Sequence, residues 1–145
     1  MVSCKKFCED NNIKLETLSN YDLINYAKQL KIKNFRGVFM RDNLPKKIRT
    51  NECAIVNLEP DSETGSHWCA YYKNGKQGKF YFDSFGLNPT NEMLNYLKKG
   101  GNFSTFEIQP MGSVICGQLC LYILYRLSNG DNFVDILIDL KNEFS

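Results

Sequence analysis

Hydrophobic positions run through the middle of the chain in three short blocks: CAIVNLE (53–59), HWCAYYK (67–73) and KFYFDS (79–84). Their β-branched and aromatic content suits strands, and Asn74-Gly75 starts the connection between the last two. Upstream, Ser19 or Asn20 can cap a helix through about Ile32, with Leu23, Ala27 and Leu30 on one face and Asp22 near its start. The basic stretch that follows reads as irregular to about Pro45. Downstream, TNEMLNYLKK (90–99) opens with a capping threonine and ends at Gly100-Gly101, after which NFSTFEIQ returns to alternation as a further strand. CGQLCLYILYRL, from Cys116 to Leu127, is apolar on most faces, as a buried helix is, and Asn129-Gly130 stops it. A last amphipathic helix, FVDILIDLKNEF, is expected to use Asp131 as its cap and to bury Phe133, Ile136, Leu137 and Leu140. The order α-β-β-β-α-β-α-α predicts an α+β layer fold.

Nothing divides this pattern. No repeat, low-complexity tract or Pro/Gly/Ser-rich linker interrupts the 145 residues, so residues 1–145 read as one domain, long enough to bury a real core. No apolar stretch approaches the roughly 18 residues needed to cross a bilayer. The opening MVSCKKFCEDNNIK lacks an apolar h-region and a small-residue cleavage site, which points to an intracellular protein. The six cysteines (Cys4, Cys8, Cys53, Cys69, Cys116 and Cys120) are accordingly expected to be reduced. Cys4 and Cys8 are spaced as CxxxC, but with one histidine and no second close cysteine pair a structural zinc is not expected. The net charge of +2 is small, although Lys28, Lys31, Lys33, Arg36, Arg41, Lys46, Lys47 and Arg49 cluster in 28–49. Such a run is usually a solvated face; weak, salt-dependent nucleic-acid contact is the side reading.

Four polar residues stand where strands should end or helices begin: His67 in GSHWCAYY, Asp83 in FYFDSFG, Gln109 in FEIQP and Cys116 in VICGQLC. Rigid elements can project such positions into a cleft. A thiol at the start of a helix gains at most about 2 kcal/mol from the helix dipole, so an active nucleophile needs a neighbouring imidazole as well. His67 is the one histidine in the sequence, and Asp83 on the neighbouring strand is the best acceptor to orient its ring. Asp61 and Glu63 compete for that role but sit in DSETGS, a solvated turn by composition. Gln109, seven residues before Cys116, can offer a side-chain amide to a tetrahedral oxyanion beside the backbone N–H of the nucleophile. Gly117 is expected to leave steric room next to that nucleophile. Trp68 is either a cover over the Cys–His pair or an ordinary core residue. Cys69, Cys120 and Cys53 read as small core hydrophobes, with Cys69 pointing away from the surroundings of His67.

In the order GSHW, YFDSFG and Q-x6-CG, the sequence resembles the adenain family, the adenovirus-type maturation proteases, and more distantly the ubiquitin-like-protein proteases. The likeness covers about residues 50–127, while FRGVFMRDNLPKK and the terminal helices resemble the versions carried by Maverick/Polinton elements, adintoviruses and virophages. It implies a papain-like architecture with permuted chain order, in which a central helix presents the cysteine to a mixed sheet carrying the histidine and acid. Position by position it makes His67 the base, Asp83 the acid, Gln109 the oxyanion donor and Cys116 the nucleophile. The acid is aspartate where adenovirus enzymes usually carry glutamate. The chain is also shorter than the adenovirus enzyme, so that enzyme's peptide and DNA cofactors are not carried over and no cofactor is expected, while an activating peptide stays open as a partner.

The resemblance implies a monomeric cysteine endopeptidase acting on capsid and core precursors in the nucleus or cytoplasm of a host cell or within the virion. It also implies cleavage after small residues such as glycine, in a narrow cleft formed by Trp68 and the loop from Gly112 to Gly117. Two other readings stay open: an isopeptidase that removes ubiquitin or a ubiquitin-like modifier, and a non-catalytic module binding nucleic acid or a capsid through the basic segment.

Overall fold

The computed structural model describes residues 2–58, 67–98, 100–104, 107–108 and 114–144. Five helices and five strands are assigned among them. The sheet runs in chain order: β1 (Phe35–Met40), β2 (Glu52–Asn57), β3 (Trp68–Asn74), β4 (Gly78–Phe82) and β5 (Asn102–Phe103). Its two outer pairs are parallel and its inner pairs antiparallel, which makes it a mixed sheet. Asn74 pairs with Gly78 across the β3–β4 hairpin, and its side-chain oxygen accepts the Lys76 and Gln77 amides.

Strand alternation splits the core into two layers. Cys53 and Ile55 of β2, Trp68, Ala70 and Tyr72 of β3, and Phe80 and Phe82 of β4 face one side. Ala54, Val56, Cys69, Tyr71 and Tyr81 face the other. The first side packs on α4 (Cys116–Ser128), which is itself surrounded by α1 (Cys4–Asp10), α2 (Asn20–Gln29) and α5 (Phe133–Phe144). The second is covered by Met93 and Leu97 of α3 (Asn91–Leu97), with Leu44 and Ile48 beside them. The result is an α+β fold in which the cysteine-bearing helix lies at the centre.

The caps are local and mostly legible. Ser19 and Asp22 exchange reciprocal side-chain and backbone bonds at the start of α2, and Thr90 accepts the Met93 amide at the start of α3. Asp131 does not cap α5. The cap is Asn132, whose Oδ1 accepts the Val134 and Asp135 amides, while Asp131 bonds Arg126 at 2.8 Å.

Two elements emerge where none is expected. α1 begins under a Ser3 cap and buries Cys4, Phe7 and Cys8, and Glu143 of α5 accepts the Cys4 and Lys5 amides. β1 lies inside the basic stretch read as irregular. It forms there because Arg36 turns inward to Glu52 at 3.2 Å instead of facing water, and the strand pairs in parallel with β2.

Candidate active site

β3 starts and β4 ends at the same edge of the sheet, because the two are antiparallel. His67 immediately precedes β3 and Asp83 immediately follows β4, so the fold sets them side by side, with His67 Nε2 2.8 Å from Asp83 Oδ1. Alternation places His67, Cys69, Tyr81 and Asp83 toward one face. Cys116, at the first turn of α4, belongs to the other. It reaches the pair over the sheet end, where its Sγ accepts the Trp68 backbone N–H at 3.5 Å.

Both sides of this junction are anchored. On the acid side, Ser104 Oγ accepts the Asp83 N–H at 2.9 Å and donates to the Asp83 carbonyl at 3.1 Å. The Gly86 N–H closes a turn onto that same carbonyl, at a φ of 71° that glycine adopts without strain. The Phe85 N–H donates to Asp83 Oδ1 at 2.8 Å, and its ring stacks on the imidazole with centroids 4.4 Å apart. On the thiol side, eleven residues of α4 are buried. Each of its interior leucines contributes roughly 1.5–3 kcal/mol, which outweighs the roughly 1 kcal/mol given up because Ile115 supplies no side-chain cap. Among the described residues no side chain caps the N-terminal amides of α4 beside Cys116, where a developing negative charge would benefit from them.

The electrostatics favour a protonated imidazole. Burial opposes the charge on His67, but hydrogen bonds to Asp83 first, then to Cys116 and Cys69, outweigh it and push its pKa up to about 12. Burial pushes the Cys69 thiol up to about 11. His67 is therefore a strong acceptor for a proton leaving Cys116 and has one nitrogen committed to Asp83.

Several expectations meet these coordinates differently. Cys69 does not point away from His67: residues two apart on a strand share a face, and ligand atoms of His67, Cys69 and Asp83 all lie within 4.8 Å of one another. Gly117 does not open onto a cleft. A Cβ there would come within 3.2 Å of Leu23 Cδ2 and 3.3 Å of Leu18 Cδ1, so its smallness lets α4 close against the 18–23 segment. Trp68 is a buried core residue whose indole donates to the Leu18 carbonyl at 3.0 Å. Its backbone, through the bond to Cys116, is the part that touches the site. Gln109 and Gly112, with Asp61 and Glu63, lie outside the described residues. Phe85 and Ser104 were not anticipated; the aromatic two residues after the acid in FYFDSFG was the available clue to the first, and nothing in the sequence distinguished the second.

No family model and no curated protein matches this sequence. The fold is nevertheless that of papain-like cysteine proteases with permuted chain order. It is similar to a selenomethionine crystal structure of the ASFV pS273R protease, with a TM-score of 0.63 at 11% identity. The match covers 88% of this chain, which spans 66% of that protein's length.

Proposed function

We propose that the protein is a cysteine endopeptidase of the adenain-like branch that processes capsid or core precursors of a virus or virus-like transposon. The observation carrying this reading is the convergence of Cys116, His67 and Asp83 at one sheet edge. His67 takes the thiol proton, and Cys116 Sγ adds to the scissile carbonyl carbon. The oxyanion is held by the first amides of α4 together with Gln109. As the C–N bond breaks, His67 returns the proton to the leaving amine, leaving a thioester. Water, deprotonated by His67, then attacks the thioester and releases the acid and the thiol. Asp83 keeps the ring in the tautomer and orientation that both transfers need.

Reaction of the reduced protein with limiting iodoacetamide over about pH 4 to 9, mapped by mass spectrometry, tests the nucleophile. Preferential labelling of Cys116 well below pH 8, lost in His67→Ala, is expected. Labelling no faster than at the other five cysteines would count against it. Digestion of a peptide library should then give cuts after small residues that vanish in Cys116→Ala. A ubiquitin-like modifier carrying a C-terminal electrophile separates the isopeptidase reading: rapid capture of Cys116 without library cleavage would replace the endopeptidase.

A further inference from the structure

Beside the imidazole lies a set of groups that the hydrolytic cycle uses only in part. Asp83 is fully buried, and while its Oδ1 takes two hydrogen bonds, its Oδ2 has no partner among the described residues. Leaving a buried carboxylate oxygen unsatisfied costs about 1–3 kcal/mol, so an orphan here marks a place where a donor or cation is missing. Cys69 is fully buried beside it, and one ring nitrogen of His67, the Cys69 sulfur and one Asp83 carboxylate oxygen all lie within 4.8 Å of one another.

We propose that His67, Cys69 and Asp83 form a binding site for a thiophilic divalent cation of the zinc class, and that its occupation switches the Cys116 centre off. One imidazole, one thiolate and one carboxylate with a water in the fourth position is a donor set that zinc accepts tetrahedrally. Ligand bonds of roughly 2.0–2.3 Å would set the donor atoms roughly 3.3–3.7 Å apart. His67 Nε2, now 2.8 Å from Asp83 Oδ1, would exchange that bond for the metal held by the unpartnered Oδ2, while Cys69 moves in. Binding displaces the Nε2 proton and the Cys69 thiol proton, both released to solvent.

The inhibitory effect follows from which nitrogen is taken. With Nε2 on the metal, the ring loses its hydrogen bond to Asp83 and keeps one proton, at Nδ1. Giving up that proton would leave an imidazolate. The ring can no longer alternate between imidazolium and neutral imidazole, which is what shuttling a proton from thiol to leaving amine requires. The binding stands independently of the peptidase reading; the switching rests on it.

Titration of the reduced Cys116→Ala protein with cadmium, followed by thiolate-to-metal absorption in the ultraviolet, tests the binding. One tight equivalent is expected in this variant. Affinity should fall at least about tenfold when Cys69→Ser or Asp83→Asn is added, and circular dichroism confirms folding of each. If a variant does not fold, slower alkylation of Cys69 with cadmium than without, read in Cys116→Ala at a urea concentration that opens the buried thiol, reports the same occupancy. A band that survives the Cys69 change but is lost in Cys4→Ala/Cys8→Ala, or no protection of Cys69, overturns the site. For the switch, the alkylation rate of Cys116 with and without zinc is read as a ratio within each protein. A zinc-dependent slowing in wild type that disappears with Cys69→Ser supports it. Equal slowing in both would place zinc on Cys116 itself and overturn it. Metal binding without any enhanced Cys116 reactivity would leave the site standing and remove the peptidase reading.

Discussion

Among the described residues two carboxylates, Glu52 and Asp83, are buried, and they are treated in opposite ways. Glu52 accepts hydrogen bonds on both oxygens: Arg36 at 3.2 Å and the Arg49 amide on Oε1, Tyr71 on Oε2, and Tyr96 on both, at 3.0 and 2.8 Å. Asp83 has one oxygen engaged and one without a partner among the described residues. Glu52 thus faces a permanent cation in a closed network, which pins β1 to β2. Its presence, after burial itself, holds the Tyr71 hydroxyl far above its ordinary pKa, so that tyrosine stays a donor. Asp83 faces a histidine that can gain and lose protons. A saturated polar cluster fixes architecture; an unsaturated one leaves capacity for a ligand or a proton to arrive.

The difference is broken most forcefully from the Asp83 side. Asp83→Asn should lower kcat about 10⁴-fold by allowing the wrong imidazole tautomer, and should also lower the thermal midpoint, since the His67 imidazolium loses its carboxylate partner. Glu52→Ala should act on stability alone. It strands the Arg36 guanidinium and the Tyr71 hydroxyl, costing about 3 kcal/mol in urea unfolding, with kcat per folded molecule nearly intact. If Glu52→Ala lost activity without losing stability, the division of labour would be wrong.

Smaller effects sharpen it. Phe85→Ala removes the ring stacked on His67, worth about 0.5–1.5 kcal/mol, and should lower kcat/KM by roughly two- to twelvefold. The raised pKa of His67 sets the pH profile. An elevated value means that the imidazolium is present at low pH, persists through neutrality and is lost only on the far alkaline side, toward about 12. Alkylation of Cys116 should therefore show no step at the midpoint of an ordinary histidine, about pH 6.5, whereas Asp83→Asn, which removes the first of the supporting hydrogen bonds, should bring such a step toward that value.

Which parts were legible from sequence follows from the same physics. The strands of aromatic and β-branched residues, the Ser19 and Thr90 caps and the all-round apolar α4 carry their signal locally. β1 does not: FRGVFM reads as basic until Glu52, sixteen positions away, is known to receive Arg36. α1 is seven residues long and needs Glu143, at the opposite end of the chain, to bond its first amides. At the site, the pairing of His67 with Asp83 was readable because antiparallel β3 and β4 must bring their adjoining ends together. The surroundings were harder. Gly117 looked like room for substrate because its neighbours Leu18 and Leu23 are distant in sequence. Cys69 was set on the wrong face although the two-residue period of a strand fixes it beside His67.

Trp68 ties three parts of the molecule together: its N–H reaches Cys116, its carbonyl accepts the Cys120 thiol at 3.4 Å, and its indole holds Leu18. It is also the one tryptophan in the sequence. The protein therefore carries a built-in optical gauge at the junction of helix, sheet and N-terminal segment. Its emission senses whether the indole is dry and how near the thiols are. Any ligand, substrate or local opening that parts α4 from β3 should register as a red shift in the emission of this single tryptophan.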